Sequence, residues 1–548
     1  MALAELLLAL TAACIGFAVL ARHLNLPYAV ILVLGGMLLA LLPGLPVVPL
    51  DPEFALAFFL PPLLQGSAFR TDWRAFRRNL RPILLLAVGA VMFTALCIGI
   101  AARMLLPDLP WAAAIALGAI VAPPDAVAAA AVLQRLRLPR KIVTILEGES
   151  LINDASALVL YKLAVAVAVT GANVAPAEAI LTFFALGLGG IVIGWLVAQA
   201  AILVLRRLAD PMLETATTFL AAYAAYMTAE AVHVSGVMAV VTAGLVYGQA
   251  QHTLLTSQSR LAAGAIWDFV EFLLNSLVFV LIGLQLNHVL GRIAGIGTGQ
   301  LATLALAISA VLILSRFLWV YPATWLPRHI AAVRRHDPLP SGRYTAIVAW
   351  AGMRGVVSLA AALALPEDFP ARDLIVFLAF CAILATLVLQ GTTLEWLIKT
   401  LRVEVPAHDG GIDPEVAEAR RIVGAAALAE VESRLDDPLE GAIAADLLPE
   451  FRERAGHQER IAANGAAAAA ERAARRRIRL AAIETSRRIL LAHHAEGLLT
   501  QEVLAHIEQE LDLEELRIRQ VLGDERTEAE KAKSMKQRGP MLALAGHA

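Results

Sequence analysis

The feature that most constrains this chain is a succession of apolar runs, each about as long as a bilayer is thick, which fills residues 1–402 and then stops. A helix crossing about 30 Å of hydrocarbon needs roughly 20 apolar residues. In lipid, backbone N–H and C=O groups must be satisfied without water, which for runs of this kind means helices. Thirteen segments qualify: 3–20, 26–43, 51–68, 82–106, 111–134, 142–170, 177–205, 211–227, 231–249, 264–286, 297–326, 343–365 and 372–398. Little more than Glu230 and a short polar patch separates the eighth from the ninth. Composition agrees. Only 17% of the residues are charged and 59% are hydrophobic, where a soluble chain carries about 25% charged residues. The first run starts at Ala2 without a basic stretch before it or a cleavage site after it, so it reads as a span and not as a signal peptide.

Charge in the loops sets the sides. Alternate loops, beginning with the one after the first span, hold nineteen Lys and Arg residues, and the opposite loops hold only Arg103, Arg292 and Arg372. Basic loops stay in the cytoplasm during insertion, so the N-terminus is expected outside and the C-terminus inside a bacterial cytoplasmic membrane. Thirteen spans divide as six, a linker and six. The fifth and twelfth then correspond, and both are interrupted: one by Ala122-Pro123-Pro124-Asp125, the other by Ala351-Gly352-Met353-Arg354-Gly355. Proline removes a backbone donor and glycine tolerates broken backbone. Paired interruptions in corresponding positions point to inverted repeats with a binding site at the midplane. The expected fold is therefore an all-α polytopic membrane protein with two six-helix inverted repeats and crossed broken helices.

Carboxylates inside the spans carry the chemistry. Asp125 follows the double proline, where freed carbonyls, Pro124 among them, can serve as oxygen ligands. The next span reads Glu147-Gly148-Glu149-Ser150-Leu151-Ile152-Asn153-Asp154. Glu147 and Asp154 share one face, Glu149 and Asn153 a neighbouring one, and Ser150 stands four residues before Asp154. The set lies within about 11 Å of helix rise. Hard oxygen ligands offset the dehydration of a monovalent cation. A carboxylate in low dielectric also holds its proton more tightly than in water, so proton and cation compete for the same oxygens. That competition is itself a coupling mechanism, with Asp154 and Asp125 as the groups that carry it. Arg354, in the broken twelfth span, needs a partner at that depth; Glu149 is the expected one, with the carbonyls of a half-helix as the alternative. Arg316, beside Phe317 and near Trp319, is expected to snorkel toward the inner interface, with a gate or accessory role as the alternative. Glu147 reads as an interfacial partner of Arg140 or Lys141, or as part of a gate. Asp268 and Glu271 read as helix-capping or vestibule residues, candidates for a gate or accessory role.

Other classes are disfavoured. Cys14, Cys97 and Cys381 stand singly in apolar runs, so neither a disulfide framework nor a zinc site is expected. No nucleotide-binding motif occurs in a credible context, which disfavours ATP-driven pumping. No enzyme activity and no cofactor are expected, and the only metal expected is the transported cation at Asp154 and Asp125. A formal net charge of −2 gives no support for nucleic-acid binding.

The motifs FLPPLLQGSAF (59–69), APPDAVAAAAVL (122–133), EGESLINDASALVLYKLA (147–164), HVSGVMAVVTAGLVYG (233–248), LNSLVFVLIGLQL (274–286) and WAGMRGVVSLAAALALP (350–366) resemble the monovalent cation/proton antiporter family, on its bacterial sodium/proton exchanger branch, over about residues 5–400. The resemblance implies a homodimer of thirteen-helix chains, each with a dimerisation domain and a moving core domain. It implies that Asp154 is the essential ion- and proton-carrying aspartate, that Asn153 marks the electroneutral, one-for-one branch, that Asp125, Glu149 and Ser150 lie in or near the site, and that Arg354 pairs in the core. The substrate implied is Na⁺, with Li⁺ alongside it, and K⁺ is the alternative. One departure bears on ion selectivity: Pro124-Asp125-Ala126 stands where many relatives have Thr-Asp-Pro. A gated cation channel or a transport-inactive sensor are the readings from other classes; paired broken helices around titratable groups speak against the first, and the intact Asp125, Asn153 and Asp154 against the second.

Residues 1–402 thus form the transporter domain, 403–413 a linker, and 414–548 a helical cytoplasmic domain with helices expected at 414–435, 438–462, 465–495, 497–509 and 511–535. This tail reads as a passive extension or as a self-associating, regulatory one. Its basic cluster Arg472, Arg475, Arg476, Arg477 and Arg479 suits anionic lipid headgroups or a solvated helix face.

Overall fold

The computed structural model describes residues 2–24, 26–42, 52–125, 138–171, 175–208, 210–293, 297–330, 340–403, 414–463, 467–496 and 498–522. Every regular element among them is helical, and the chain divides into two compact units, Met1–Val405 and Pro406–Ala548.

In the first unit the helices are α1 (Ala2–Leu24), α2 (Tyr28–Ala40), α3 (Pro52–Arg70), the short α4 (Trp73–Arg78), α5 (Leu80–Leu84) and α6 (Val91–Leu105). They continue with α7 (Trp111–Val121), α8 (Arg140–Thr170), α9 (Pro176–Leu205), α10 (Pro211–Ala231), α11 (Gly236–Leu254), α12 (Ser257–Leu284) and α13 (Leu286–Arg292). The remainder are α14 (Thr298–Trp325), α15 (Gly342–Trp350), α16 (Val356–Leu363), α17 (Arg372–Ala385) and α18 (Gly391–Leu401). Each of the thirteen expected segments overlaps one of these helices or a consecutive pair, the fifth only over Trp111–Val121 among the described residues. Among the described residues, six stretches are long and apolar enough to cross a membrane, and three shorter apolar helices accompany them. Two π-helical turns, Leu85–Ala90 and Thr386–Gln390, join α5 to α6 and α17 to α18; such turns recur at functional sites because they re-aim side chains. The turn between α10 and α11 is tight: His233 adopts φ 58° and is exposed, and Ser235 caps α11 by accepting from the Met238 N–H at 3.3 Å.

Two apolar cores hold the unit. One gathers α2, α7, α12, α14, α15 and α17 around Leu32, Leu117, Phe279, Ile308, Ile347 and Phe380; the other gathers α3, α8, α9, α10 and α11 around Leu64, Leu151, Ala198, Ala225 and Val240. Small residues allow close approach where it matters. A side chain at Gly36 would run into the Val280 carbonyl, and one at Gly283 into the Val33 carbonyl, so α2 and α12 pack backbone to backbone.

The second unit comprises α19 (Pro414–Ser433), α20 (Gly441–Ala463), α21 (Ala467–Ala495) and α22 (Gln501–Leu522). The last helix corrects the expectation of a break near residue 510. No glycine or proline interrupts 501–522, and the apolar spacing runs through it, so a single helix forms. Arg487 ties α21 to α22 through Asp512 at 2.5 Å and Glu515 at 3.0 Å. Within the basic cluster, Arg475 pairs with Glu453 of α20 at 2.9 Å. The expected linker residues 404–413 and the chain beyond 522 lie outside the described residues.

Overpacking a tight helix contact costs about 1–3 kcal/mol. Gly283→Leu is therefore expected to lower the thermal unfolding midpoint of the detergent-solubilised protein, whereas Gly299→Leu, where nothing lies within 4 Å, leaves it in place.

Candidate functional site

The site grows out of two interrupted helices. α7 ends at Val121 and the chain unwinds through Ala122–Asp125; α15 ends at Trp350 and the chain unwinds through Ala351–Gly355 before α16 begins. The interruptions meet, with the backbone N–H of Asp125 donating to the Met353 carbonyl at 2.7 Å. Gly355 makes the meeting close, because any side chain there would overlap the Asp125 carboxylate.

Unwinding leaves the last carbonyls of each half-helix without intrahelical donors, a costly state away from water. Two arginines answer this. Arg354 caps α7: its Nε donates to the Val121 carbonyl at 2.8 Å and its Nη2 to Ala122 at 3.2 Å, while Nη1 donates to Gly352. Thr386, in the second π-helical turn, accepts from the Arg354 backbone N–H at 3.2 Å. Arg316 caps α15: its Nη2 and Nε donate to the Val348 carbonyl at 3.1 and 3.4 Å. Arg316 also grips Glu149 with a bidentate fork, Nη1 to Oε1 at 2.6 Å and Nη2 to Oε2 at 2.8 Å. Both side chains are sealed, at 2% and 1% exposed. Gly352 fits between the two guanidiniums, since a Cβ there would come within 2.7 Å of Arg316 Nε and 2.9 Å of Arg354 Nη1.

Two expectations are thereby corrected. Glu149 pairs with Arg316, not Arg354, and Arg316 is a buried core residue, not an interfacial anchor. The signal was present in the sequence: Leu304, Ile308, Leu312, Arg316 and Val320 recur every four residues, and all are buried on one stripe of α14. Thr386 also went unnoticed, and no local pattern announces it. The same is true of Gln390, a fully buried amide in the same π-helical turn.

The arginines balance without the aspartates. Two guanidiniums face one Glu149 carboxylate and two half-helix C-termini, each equivalent to about half a negative charge, so this group is close to neutral. Asp154 stands apart from it. It is buried at 8% exposed and makes no hydrogen bond or ion pair among the described residues; its charged neighbour is Asp125. Asn153, on the adjacent face of α8, donates from Nδ2 to the Pro124 carbonyl at 2.7 Å, so α8 is fastened to the unwound chain one residue before Asp125. Its Oδ1 is buried without a partner among the described residues. Ser156 fastens α8 on another side by donating to the Ala87 carbonyl at 2.5 Å in the first π-helical turn. Ser150 is half-buried one turn before Asp154. Asp125, Asn153 and Asp154, with the Pro124 carbonyl, are thus drawn together around oxygen atoms. Residues 126–137, which include the rest of the expected fifth span, lie outside the described residues.

The accessory candidates fall elsewhere. Glu147 is exposed and lies in the field of Arg70. Asp268 and Glu271, on α12, are both bound by Arg70 at the end of α3. Lys162 pairs with Glu230 at 2.9 Å. Glu214 is buried and makes no ion pair with Arg206 or Arg207.

Comparison with known proteins places this arrangement. Residues 7–400 match the family model described as the transmembrane sodium/hydrogen exchanger. A protein of Mycobacterium tuberculosis named as an uncharacterized sodium/proton exchanger is 36% identical over 530 residues, spanning 93% of this chain and 95% of that one. A sodium, potassium, lithium and rubidium/proton antiporter of Bacillus subtilis is 37% identical over 386 residues, or 67% of this chain and 57% of that one. Among solved structures, the sodium proton antiporter MjNhaP1 from Methanocaldococcus jannaschii superposes with a TM-score of 0.59 at 20% identity, over 74% of this chain and 99% of that chain, which shows the same fold.

Removing one member of a buried ion pair strands the other and costs about 3–5 kcal/mol. Arg316→Met is expected to lower folded yield and thermal stability in detergent sharply, and adding Glu149→Leu to it recovers part of the loss. Arg354→Met leaves the Glu149–Arg316 pair intact, so Glu149→Leu added to that variant gives no recovery.

Proposed function

The chain belongs to the sodium/hydrogen exchanger family and is a multi-pass membrane protein; from that premise we propose that it exchanges Na⁺ for H⁺ across a bacterial cytoplasmic membrane, one for one, by alternating access around Asp154. The observation that carries the reading is Asp154 itself: a buried carboxylate whose neighbouring arginines are already committed to Glu149 and to helix-end carbonyls. A carboxylate in that position is stable when it holds a proton or a cation and unstable when it holds neither. Loading one species displaces the other, so the empty, charged site does not cross and the two fluxes stay coupled. Asp125, the Pro124 carbonyl and the unpaired Oδ1 of Asn153 supply further oxygen ligands of the kind a monovalent alkali cation takes.

Asn153 in place of a second acid supports the one-for-one ratio, because a single titrating carboxylate trades one positive charge for another. Li⁺ shares the ligand chemistry of Na⁺ and is a second substrate of this reading. K⁺ is the alternative cargo, favoured by the name borne by the Bacillus relative. The excess of basic residues in alternate loops supports an N-terminus outside and a C-terminus in the cytoplasm. We place the protein in the membrane as a homodimer of thirteen-span chains. The apolar α9, only 11% buried over its most hydrophobic window, supplies surface for a second copy and for lipid.

In reconstituted vesicles with an imposed pH gradient, adding Na⁺ is expected to dissipate the gradient at a rate unaffected by clamped membrane potential. Asp154→Asn, purified as a folded protein, reduces that flux to the protein-free background. Full exchange by this variant contradicts the assignment, and parallel additions of Li⁺ and K⁺ rank the cargo.

A further inference from the structure

A second carboxylate–arginine contact in the unit differs from the Glu149–Arg316 pair in one decisive respect: it is open to water. Arg70, the last residue of α3, binds Glu271 through Nη2 and Asp268 through Nη1, the latter at 3.3 Å. The Arg70 side chain is 46% exposed, Asp268 78% and Glu271 16%. Glu147 of α8 also lies in the field of Arg70. One guanidinium therefore contacts two carboxylates of α12 and acts on a third of α8, so the carboxylates around Arg70 outnumber the charge it supplies.

Glu271 is more than a surface partner. Its Oε2 faces Arg70, but its Oε1 is buried and accepts no hydrogen bond. That oxygen lies over Gly66, where any side chain would overlap it, and the Trp267 ring comes within 3.3 Å of the same point. α16, the continuation of the broken segment past Gly355, packs on both α3 and α12. Tyr28, at the start of α2, lies within electrostatic reach of both Glu271 and Asp125.

We propose that Glu271 is a further cation-handling carboxylate of the exchange, and that Arg70 is a displaceable stand-in that occupies it until a transported alkali cation arrives. The proposal rests on the exchange reading above. A guanidinium and a hydrated alkali cation carry the same charge and both seek carboxylate oxygen. The Arg70 side of this pair is half open to solvent, so the pair is screened by salt and less firmly held than a sealed one, and a dehydrating cation can take Glu271 from Arg70, using Oε1 as its first protein ligand. The sealed Glu149–Arg316 pair offers no such exchange. Arg70 then acts as a positioning residue: it keeps Glu271 over Gly66 and sets the cation concentration at which the site fills.

The test measures cation-driven proton flux in vesicles at constant ionic strength, with choline replacing Na⁺. Glu271→Gln is expected to raise the half-saturating Na⁺ concentration by about tenfold while flux recovers at saturating Na⁺, and Arg70→Gln to lower it by a similar factor. Arg70→Lys, which keeps the charge, stays within about twofold of the unaltered protein. A half-saturation unchanged in Glu271→Gln overturns the proposal, as does a loss of maximal flux that Na⁺ does not restore. Sodium-dependent protection of the purified full chain against thermal unfolding gives a second readout. If the unaltered protein carries no exchange, the antiport reading fails by itself. The protection midpoint still decides the role of Glu271: it must shift upward in Glu271→Gln, and an unshifted midpoint overturns the role.

Discussion

The structure depends on how it deals with broken helix ends inside a membrane. Interrupting two spans frees carbonyl oxygens that water cannot reach, and each unsatisfied group there costs several kcal/mol. Arg354 closes the end of α7 and Arg316 closes the end of α15. Arginine suits this task because its guanidinium offers five donors in a rigid fork and stays charged. Glu149 then offsets the charge that the helix ends do not. What remains is an unwound crossing rich in oxygen, fastened to α8 through Asn153 and bordered by an aspartate that makes no ion pair among the described residues.

The two arginine–carboxylate systems of the first unit show how burial decides role. Glu149 and Arg316 are sealed, and their geometry is bidentate. Separating them leaves an uncompensated charge in low dielectric, so they act as a permanent strut. Arg70 uses the same chemistry half open to water, with Asp268 exposed and Glu271 mostly buried; the exposed Arg70–Asp268 contact is worth about 0–1 kcal/mol. A contact of that size forms and breaks readily, which is what an entrance requires and a strut cannot tolerate.

Much of this was legible in the sequence. Hydropathy placed the helices because bilayer thickness imposes their length, and Pro123-Pro124 with Gly352 and Gly355 marked the breaks because backbone chemistry is local. Asn153 and Asp154 stood out because a carboxylate inside an apolar span needs a reason to be there. The choice of partners was not legible. Glu149 lies 167 residues from Arg316 in sequence, and Arg354, equally set in an apolar span, is the partner the sequence suggested for it. Only the buried stripe on α14 separated them, and the aromatic neighbours of Arg316 masked that stripe as an interfacial anchor. Thr386 and Gln390 carry no motif, because a π-helical turn changes which residues share a face without changing composition. The single helix over 501–522 was divided in error where charged residues crowd, although nothing there breaks a helix.

The central claim is that one carboxylate, Asp154, holds either a proton or a cation. Proton release on adding Na⁺ to the purified, weakly buffered protein tests it most directly. The account predicts about one proton released per bound cation, fading as the starting pH rises and absent from Asp154→Asn. Sodium binding without proton release at any pH, or equal release from Asp154→Asn, would contradict it.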